Sequence, residues 1–170
     1  MPKMTGAKYL ADTLKAYGVT HVFFVPAVLR KSLAEMDMVG IKRVVTHGEK
    51  AAAYMADGYA RASNKVGVCM AQSVGAVNLA AGLQDAYLGL SPVLALTGHK
   101  SNLQQNRNAY QEIEHSKPFA STTKFSAVVD SVNELPGLLR QAFREATTGA
   151  PAPVHLDFEG ISGNVVEDGE

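Results

Sequence analysis

The sequence contains little cysteine and no excess of charge of either sign. Its single cysteine, Cys69, excludes an internal disulfide framework. Lys plus Arg and Asp plus Glu number 16 each, and no basic run is present, so nothing indicates a nucleic acid or an anionic membrane as a partner. A near-neutral surface of this kind instead favours association with another protein.

Long apolar runs are also missing. No stretch approaches the ~18 apolar residues of a membrane span, and no signal peptide is recognisable, which predicts a cytoplasmic protein. The 170 residues are enough for one independently folding domain. We place this domain at residues 1–158 and interpret residues 159–170, which show no apolar periodicity, as a polar tail or the start of a linker.

What is present is a regular alternation of strand-like and helix-like segments. The strand-like segments, mostly apolar and β-branched along their length, are residues 19–25, 42–46, 66–71, 92–97, 122–129 and 153–158. Helices are predicted between them, including residues 76–88 and a helix after a capping box of Ser131 and Glu134. This pattern predicts an α/β fold: a doubly wound, mostly parallel six-stranded sheet with helices on both faces.

Ligands of such sheets bind beyond the carboxyl ends of the strands. Pro26, Glu49, Ser73 and Gly98 all lie at predicted strand ends. A polar stretch, residues 98–111, follows the fourth strand, and ordered loops of this length usually serve a site. The sequence therefore predicts a binding site at this edge of the sheet.

Glu49 is distinctive because it lies where a strand predicted to be buried meets a helix predicted to be largely buried. The residues alone leave two interpretations open. A carboxylate in a first helical turn can simply complement the helix dipole. Alternatively, it can work as an acid or base.

The run from Gly48 to Arg61, Gly-Glu-Lys-Ala-Ala-Ala-Tyr-Met-Ala-Asp-Gly-Tyr-Ala-Arg, resembles the glutamate segment of thiamin-diphosphate-dependent enzymes. The greatest likeness is to the N-terminal pyrimidine-binding domain of the acetolactate synthase-like group. The resemblance implies that Glu49 is catalytic, hydrogen-bonding N1′ of the cofactor's aminopyrimidine and so promoting removal of the thiazolium C2 proton. It also implies thiamin diphosphate as cofactor and 2-oxo acids as substrates, in decarboxylation or carboligation.

Three further segments resemble the same family. The strand ending in Pro26 and Ala27 corresponds to one ending in Pro-Gly, where the backbone approaches the pyrimidine. Residues 71–78 resemble a Ser-Gly-Pro-Gly-Ala-Thr-Asn turn, one residue short and with Val74 in the position of the proline, and residues 108–112 resemble an Asp-Ala-Phe-Gln-Glu segment. The positions implied to bind the cofactor are Pro26, Ala27, Glu49, Ser73, Val74, Gly75, Asn78 and Gln111.

One feature of that family is missing from the sequence. Its Gly-Asp-Gly…Asn motif, which anchors the cofactor diphosphate through Mg²⁺ on a separate domain, does not occur. The resemblance therefore implies half of an active site, either an excised domain or the small subunit of a split enzyme, with Mg²⁺ held by a diphosphate-binding domain or subunit. The apolar helices flanking Glu49 and Ser73 further predict a homodimer or other homo-oligomer.

Other interpretations stay open. The same fold can serve as a non-catalytic pairing or oligomerisation domain. Ser73 has a strand–turn–helix setting and is followed by Asp130 and His155 in hydrolase order, which allows a hydrolase. No metal site is predicted, since no histidine pair has metal-ligand spacing with a third ligand. The histidines interpreted as hydrogen-bonded or solvated structural residues are His47, His99, His115 and His155.

Overall fold

The computed structural model describes residues 3–170, and six strands form near the predicted positions. They are β1 (His21–Phe24), β2 (Lys42–Val45), β3 (Gly67–Gln72), β4 (Val93–His99), β5 (Phe125–Val129) and β6 (Val154–Glu159). All neighbours are parallel, in the order β2-β1-β3-β4-β6-β5. The prediction of a doubly wound α/β fold is confirmed.

Helices cover both faces of the sheet. They are α1 (Gly6–Ala16), α2 (Arg30–Met38), α3 (Glu49–Ser63), α4 (Ser73–Gly82), α5 (Gln84–Leu88), α6 (Ser116–Ala120), α7 (Leu135–Thr147) and α8 (Asn164–Glu167). A short 3₁₀ turn, Asn102–Gln104, lies in the polar loop after β4. Within residues 3–170, none of these helices has the length and apolar character needed to cross a membrane.

The two faces of the sheet are packed differently, because alternate strand residues point to opposite faces. One face, called here the leucine face, lies under α1, α2, α7 and α8. Its strand side chains are Val22, Phe24, Val68, Met70, Leu94, Leu96, Val129, Val154, Leu156 and Phe158. The other, called the alanine face, lies under α3, α4, α5 and α6. Its core side chains are Phe23, Ala52, Ala53, Ala56, Ala60, Cys69, Ala71, Ala76, Leu79, Ala80, Leu83, Ala86, Val93, Ala95 and Phe119.

Glycines let the helices of the alanine face approach their neighbours closely. A Cβ added to Gly67 on β3 would lie 2.1 Å from the carbonyl oxygen of Ala56 on α3. A Cβ on Gly82 of α4 would lie 2.8 Å from the carbonyl oxygen of Lys50 on α3. Helix α3 is therefore in direct backbone contact with both β3 and α4.

Two expectations about burial are wrong. Strand β2 lies at one edge of the sheet, so Lys42, Arg43 and Val45 are exposed rather than buried. Helix α3 is buried on one side only, since the sheet and α4 cover one side of it. On its other side Tyr54 and Met55 are 44% and 47% exposed.

The helix predictions need further correction. The helix expected over residues 76–88 begins at Ser73 and is broken at Leu83, whose N–H bonds to Ala80, three residues back, in the tighter 3₁₀ manner. The capping box is not formed: Ser131 Oγ accepts from the N–H of Asn133, a local turn that competes with capping. Helix α6 is absent from the prediction, because its five residues carry no apolar periodicity.

The segment expected to be a polar tail is ordered: it adds Glu159 to β6 and forms α8. The buried carboxylate of Glu167 accepts from the N–H and the hydroxyl of Ser32, at 2.7 and 2.8 Å, at the start of α2. Burial raises the pKa of Glu167. The N–H of Gly6 donates to the carbonyl of Gly169 at 2.9 Å. This segment is part of the packed structure, while the domain boundary proposed after residue 158 stays a prediction.

Candidate functional site

The direction of the strand order changes between β1 and β3, and the carboxyl ends of these strands open onto a cleft. This is where ligands of doubly wound sheets bind. The cleft holds a cavity of about 110 Å³. It is lined by Val25, Ala27, Glu49, Gln72, Val74, Gly75 and Gln111. Four segments that are far apart in the sequence meet here.

Glu49 supplies the one carboxylate in this lining. It is half-buried and is the first residue of α3. Asn78 Nδ2 donates to Glu49 Oε2 at 3.3 Å. The other carboxylate oxygen, Glu49 Oε1, faces Gly75: a Cβ added to this glycine would lie 2.5 Å from it. The glycine at position 75 therefore leaves the space that the carboxylate occupies.

The turn from β3 into α4 is strained at Ser73. Its φ of 40° lies in the left-handed region, which costs a non-glycine residue on the order of 1–3 kcal/mol. The buried Ser73 hydroxyl donates to the carbonyl oxygen of Gln111, and the Ser73 carbonyl accepts from His115 Nε2 at 2.9 Å. These contacts hold the turn from which Val74 and Gly75 enter the cleft.

The polar loop after β4 returns to the cleft through an ordered turn at its end. The Glu112 carboxylate accepts from the backbone N–H groups of Ala109, at 3.0 Å, and Asn106. These hydrogen bonds lower the pKa of Glu112. Gln72 Nε2 donates to Gln111 Oε1 at 3.1 Å, which links the loop to the end of β3.

The cavity fits a single ring better than a whole cofactor. Pockets that enclose drug-sized ligands measure ~300–1,000 Å³, well above the 110 Å³ found here. The lining combines one carboxylate, two glutamine amides and apolar side chains, which suits a heteroaromatic ring with nitrogen atoms in its plane. The described residues of this lining include no cation to hold a phosphate.

Residues 4–118 match the family described as "Thiamine pyrophosphate enzyme, N-terminal TPP binding domain". The chain belongs to this family. The matched range includes every residue of the cleft. The prediction of a thiamin-diphosphate-enzyme N-terminal domain is confirmed, and the family description names the predicted cofactor.

Curated relatives of this thiamine pyrophosphate domain are acetolactate synthases. The chain is 40% identical, over 98% of its length, to the probable acetolactate synthase large subunit of Methanocaldococcus jannaschii. It is 38% identical over 98% to the acetolactate synthase of Arthrospira platensis, and 40% identical over 91% to the acetolactate synthase isozyme 2 large subunit of Escherichia coli K12. It spans 28, 30 and 29% of these three proteins respectively.

The structure brings together most of the residues implied to bind the cofactor. Those that line the cavity are Ala27, Glu49, Val74, Gly75 and Gln111. Pro26 is exposed outside the lining, Ser73 lies buried behind it, and Asn78 contacts it through Glu49. Val25 and Gln72 also line the cavity and are absent from the prediction, although both lie at the ends of strands, the signal that identified the other residues.

The residues of the hydrolase alternative do not come together in this thiamine pyrophosphate domain. His155 bonds to Thr97 Oγ1 at 2.7 Å and to Ser126 Oγ at 2.9 Å, and its ring stacks on Phe119 at 3.6 Å. Burial lowers the pKa of His155 to about 3, so the ring is neutral. The Ser73 hydroxyl donates to the Gln111 carbonyl, and among the described residues it makes no hydrogen bond to a histidine ring.

A larger groove, of about 600 Å³, lies at the opposite edge of the sheet, where the strands begin. Its lining includes the cations Lys65, Arg140 and Arg144. It lies at the C-terminal ends of α1 and α3 and along one side of α7. The carbonyl groups at the C-terminal end of a helix are partly negative and are complemented by cations. Lys65 and Arg144 lie at these helix ends, whereas Arg140 lies in the middle of α7. The described residues of this lining include no carboxylate, so size alone does not make this groove the functional site.

Proposed function

We propose that this chain is the pyrimidine-binding half of a thiamin-diphosphate-dependent enzyme acting on 2-oxo acids, as a decarboxylase or acetolactate synthase-like carboligase. The supporting observation is Glu49, which supplies the one carboxylate of a ring-sized cavity at the point where the strand order changes direction. The names of the relatives support the acetolactate synthase-like alternative. When bound, thiamin diphosphate supplies a nucleophilic carbon and an electron sink for chemistry beside a carbonyl group.

The residues of the cleft have distinct roles in this proposal. Glu49 shares a proton with N1′ of the aminopyrimidine, as a general acid–base group. Asn78 and the space at Gly75 set the direction of its carboxylate. Val25 and Val74 line the cavity with apolar side chains and would lie against the ring, and the amides of Gln72 and Gln111 would offer hydrogen bonds to the cofactor or substrate.

A second domain or subunit holds the diphosphate and its Mg²⁺ in this proposal. Two observations support this partner. The described residues that line the cleft contain one carboxylate and no cation, which is too few for a magnesium–diphosphate site. The chain also spans less than a third of each relative named above.

The chain further associates with a second copy of itself through α3 and α4. Tyr54, Met55 and Val74 are 44, 47 and 48% exposed on these two helices, which pack against each other beside Glu49. Exposed apolar groups of this kind, when contiguous, mark association sites. A second chain on this surface would lie next to the cleft.

Replacing Glu49 with glutamine tests the proposal. In the enzyme assembled with its diphosphate-binding partner, Glu49→Gln should slow hydrogen exchange at the cofactor C2 by ~10²–10⁴-fold, because the amide cannot share a proton with N1′. The melting temperature should change little. Glu134→Gln is the matched control, since Glu134 also lies at a helix start, before α7 on the leucine face.

The opposite result has an equally clear meaning. If Glu49 only complements the helix dipole, exchange should stay unchanged while ~0.3–1 kcal/mol of stability is lost. Unchanged C2 exchange would overturn the catalytic role and favour the non-catalytic pairing domain.

A further inference from the structure

A buried polar cluster lies behind the Ser73 turn, where β4, β6 and the start of α6 meet. Asp157 receives a hydrogen bond from Thr97 Oγ1 at 2.6 Å, and both its oxygens lie 3.0 Å from His115 Nδ1. His99 Nδ1 lies 3.3 Å from Asp157 Oδ2. His155 Nε2 lies 2.7 Å from Thr97 Oγ1. The members are nearly inaccessible to solvent, which favours a hydrogen-bond partner for each proton. Among the described residues, His99 Nδ1 has no partner with hydrogen-bond geometry.

This set of side chains resembles a metal-ligand set. The donor atoms of His115, His155 and Asp157 all lie within 4.8 Å of one another. However, Thr97 Oγ1 stands between His155 Nε2 and Asp157, in hydrogen-bond contact with both. Because each of these ligand atoms already has a protein partner, the cluster is better explained as a proton network than as a metal site.

Counting donors and acceptors assigns the protons of the two central histidines. Thr97 donates to Asp157, so its oxygen accepts from His155, whose proton is therefore on Nε2. His115 Nε2 faces the carbonyl oxygen of Ser73, which can only accept. His115 Nδ1 faces Asp157. Asp157 accepts from the Thr97 hydroxyl and faces His115 Nδ1 with both oxygens. Although burial acts in the opposite direction, the hydrogen bond from His115 and the nearby His99 ring hold the pKa of Asp157 well below its usual range, so this carboxylate also only accepts.

We propose that His115 is a positioning residue that carries protons on both ring nitrogens and fixes the Ser73 turn through its hydrogen bond to the Ser73 carbonyl. Asp157 is the counter-ion of this imidazolium and holds its ring in place. The role of the pair is to set the positions of Val74 and Gly75 in the cleft.

The geometry of the peptide group explains how the hydrogen bond from His115 can set the positions of Val74 and Gly75. The Ser73–Val74 peptide is planar and trans, so a fixed carbonyl direction also fixes the Val74 N–H in the opposite direction. Ser73 is held in a left-handed conformation that a non-glycine residue leaves readily unless its neighbours prevent it. Gly75 follows two residues later and lies against the Glu49 carboxylate. Movement of the turn would therefore displace the wall of the cleft that faces Glu49.

Two substitutions of His115 separate its two hydrogen bonds. In His115→Gln the amide nitrogen can replace Nε2 and still donate to the Ser73 carbonyl. In His115→Asn the shorter amide can replace Nδ1, so the contact with Asp157 is kept and the hydrogen bond to the Ser73 carbonyl is lost. Both variants remove the positive charge, so a merely structural role predicts similar losses of stability and function in both. Ser126→Ala is the control, since it removes a hydrogen bond of His155 and does not touch Ser73.

The first measurement uses nuclear magnetic resonance of the 170-residue chain at neutral pH and needs no cofactor. We expect two protonated ring nitrogens in His115 and one in His155. The backbone amide resonances of Val74 and Gly75 should shift in His115→Asn and stay near their original positions in His115→Gln and Ser126→Ala. An unprotonated nitrogen in His115, or equal shifts in the Asn and Gln variants, would overturn the proposal.

The second measurement rests on the proposed function and uses the enzyme assembled with its diphosphate-binding partner. His115→Asn should slow C2 hydrogen exchange by up to about 10²-fold, the loss that a displacement of ~1 Å near reacting groups can cause. His115→Gln should recover most of the rate. Equal losses in both would refute the positioning role. Absence of exchange in the unmodified enzyme would refute the proposed function, whereas the resonance data would still decide the role of His115.

Discussion

The leucine face and the alanine face of the sheet serve different purposes although the same strands build both. On the leucine face, β4 and β6 contribute Leu94, Leu96, Leu156 and other large apolar side chains. On the alanine face, the same two strands contribute Thr97, His99, His155 and Asp157 beside small apolar residues. The comparison shows that bulky packing is concentrated on one face. The other face combines close helix contacts with buried polar groups, and both Glu49 and Ser73 lie on its helices.

The largest expected effect comes from removing bulk on the leucine face. Leu139→Ala on α7 should lower the free energy of unfolding by ~2–5 kcal/mol, because the fully buried side chain leaves a cavity. C2 exchange below the melting temperature should not change, since the cleft is on the other side. Chemical denaturation measures the loss. Leu138→Ala is the control and should cost less, because Leu138 is only partly buried. A loss below 1 kcal/mol would contradict the importance given to this face.

Adding bulk should be the damaging change on the alanine face. In Gly67→Ala the new methyl group meets the backbone of Ala56, which cannot rotate away, so β3 and α3 must separate. Such overpacking typically costs ~1–3 kcal/mol. Gly58→Ala on the open side of α3 is the control and should stabilise by about 0.5–1 kcal/mol, since nothing lies within 4 Å of the added atom. If both variants were equally stable, the two sides of α3 would not differ as described.

The burial of His155 on the alanine face predicts that the stability of the fold depends on pH. His155 is neutral in the folded chain, with a pKa of about 3. In the unfolded chain it binds a proton near pH 6.5. Because only the unfolded chain binds this proton, the contribution of His155 to the free energy of unfolding is complete above about pH 6.5. It is lost as the pH falls below that value, by ~1.4 kcal/mol per pH unit. His155→Gln should make the change of unfolding free energy between about pH 4.5 and 6.5 shallower by up to this slope.

His99 acts in the opposite direction and must be separated from His155. Although burial works against it, Asp157 raises the pKa of His99. Its contribution is therefore present at low pH and is lost as the pH rises through the folded-state pKa. His47→Gln, at an exposed position, is the control for a histidine with no role in the cluster. Identical pH slopes in the original chain and His155→Gln would show that His155 is not the buried neutral base described.

The smallest effect on stability is expected at the exposed side of α3. Met55→Glu should change the free energy of unfolding by no more than about 0.5 kcal/mol, as is usual for surface positions. It should nevertheless weaken self-association, because it places a charge in the proposed interface. Light scattering over a range of concentrations measures this. Met38→Glu, at a position 80% exposed at the end of α2, is the control and should leave association unchanged.

The parts of the fold that the sequence predicts are those encoded locally. Apolar, β-branched runs identify all six strands, and the residues that follow them identify the edge of the sheet where Glu49 and Gln111 meet. The position of β2 in the strand order is not encoded locally, although Lys42 and Arg43 are side chains typical of an edge strand. Helix α8 was not predictable for a similar reason: Glu167 is a polar residue whose partner, Ser32, lies 135 residues away.

The candidate site shows the same limit. Glu49 could be found because one long run of residues carries both its strand and its helix. The pairing of His155 with Thr97, and of His115 with Asp157, depends on the register of β4 against β6 and on contacts over 58 and 42 residues. No local pattern specifies such a register. The sequence therefore predicts hydrogen-bonded or solvated structural histidines in general, but not which groups they contact.

The hydrogen bond between Gly6 and Gly169 has a mechanical consequence. It brings the first and last turns of the described chain together at one place, and Lys3 and Glu170 meet beside it at 3.5 Å. A tensile force applied to the two ends would load this junction and α8 first, because every strand ladder lies further along the chain. We expect most of the load to reach the sheet only after α8 has detached from α1, α2 and β6. The cleft would be shielded from tension by a short segment that is held mainly by Glu167 and Val166.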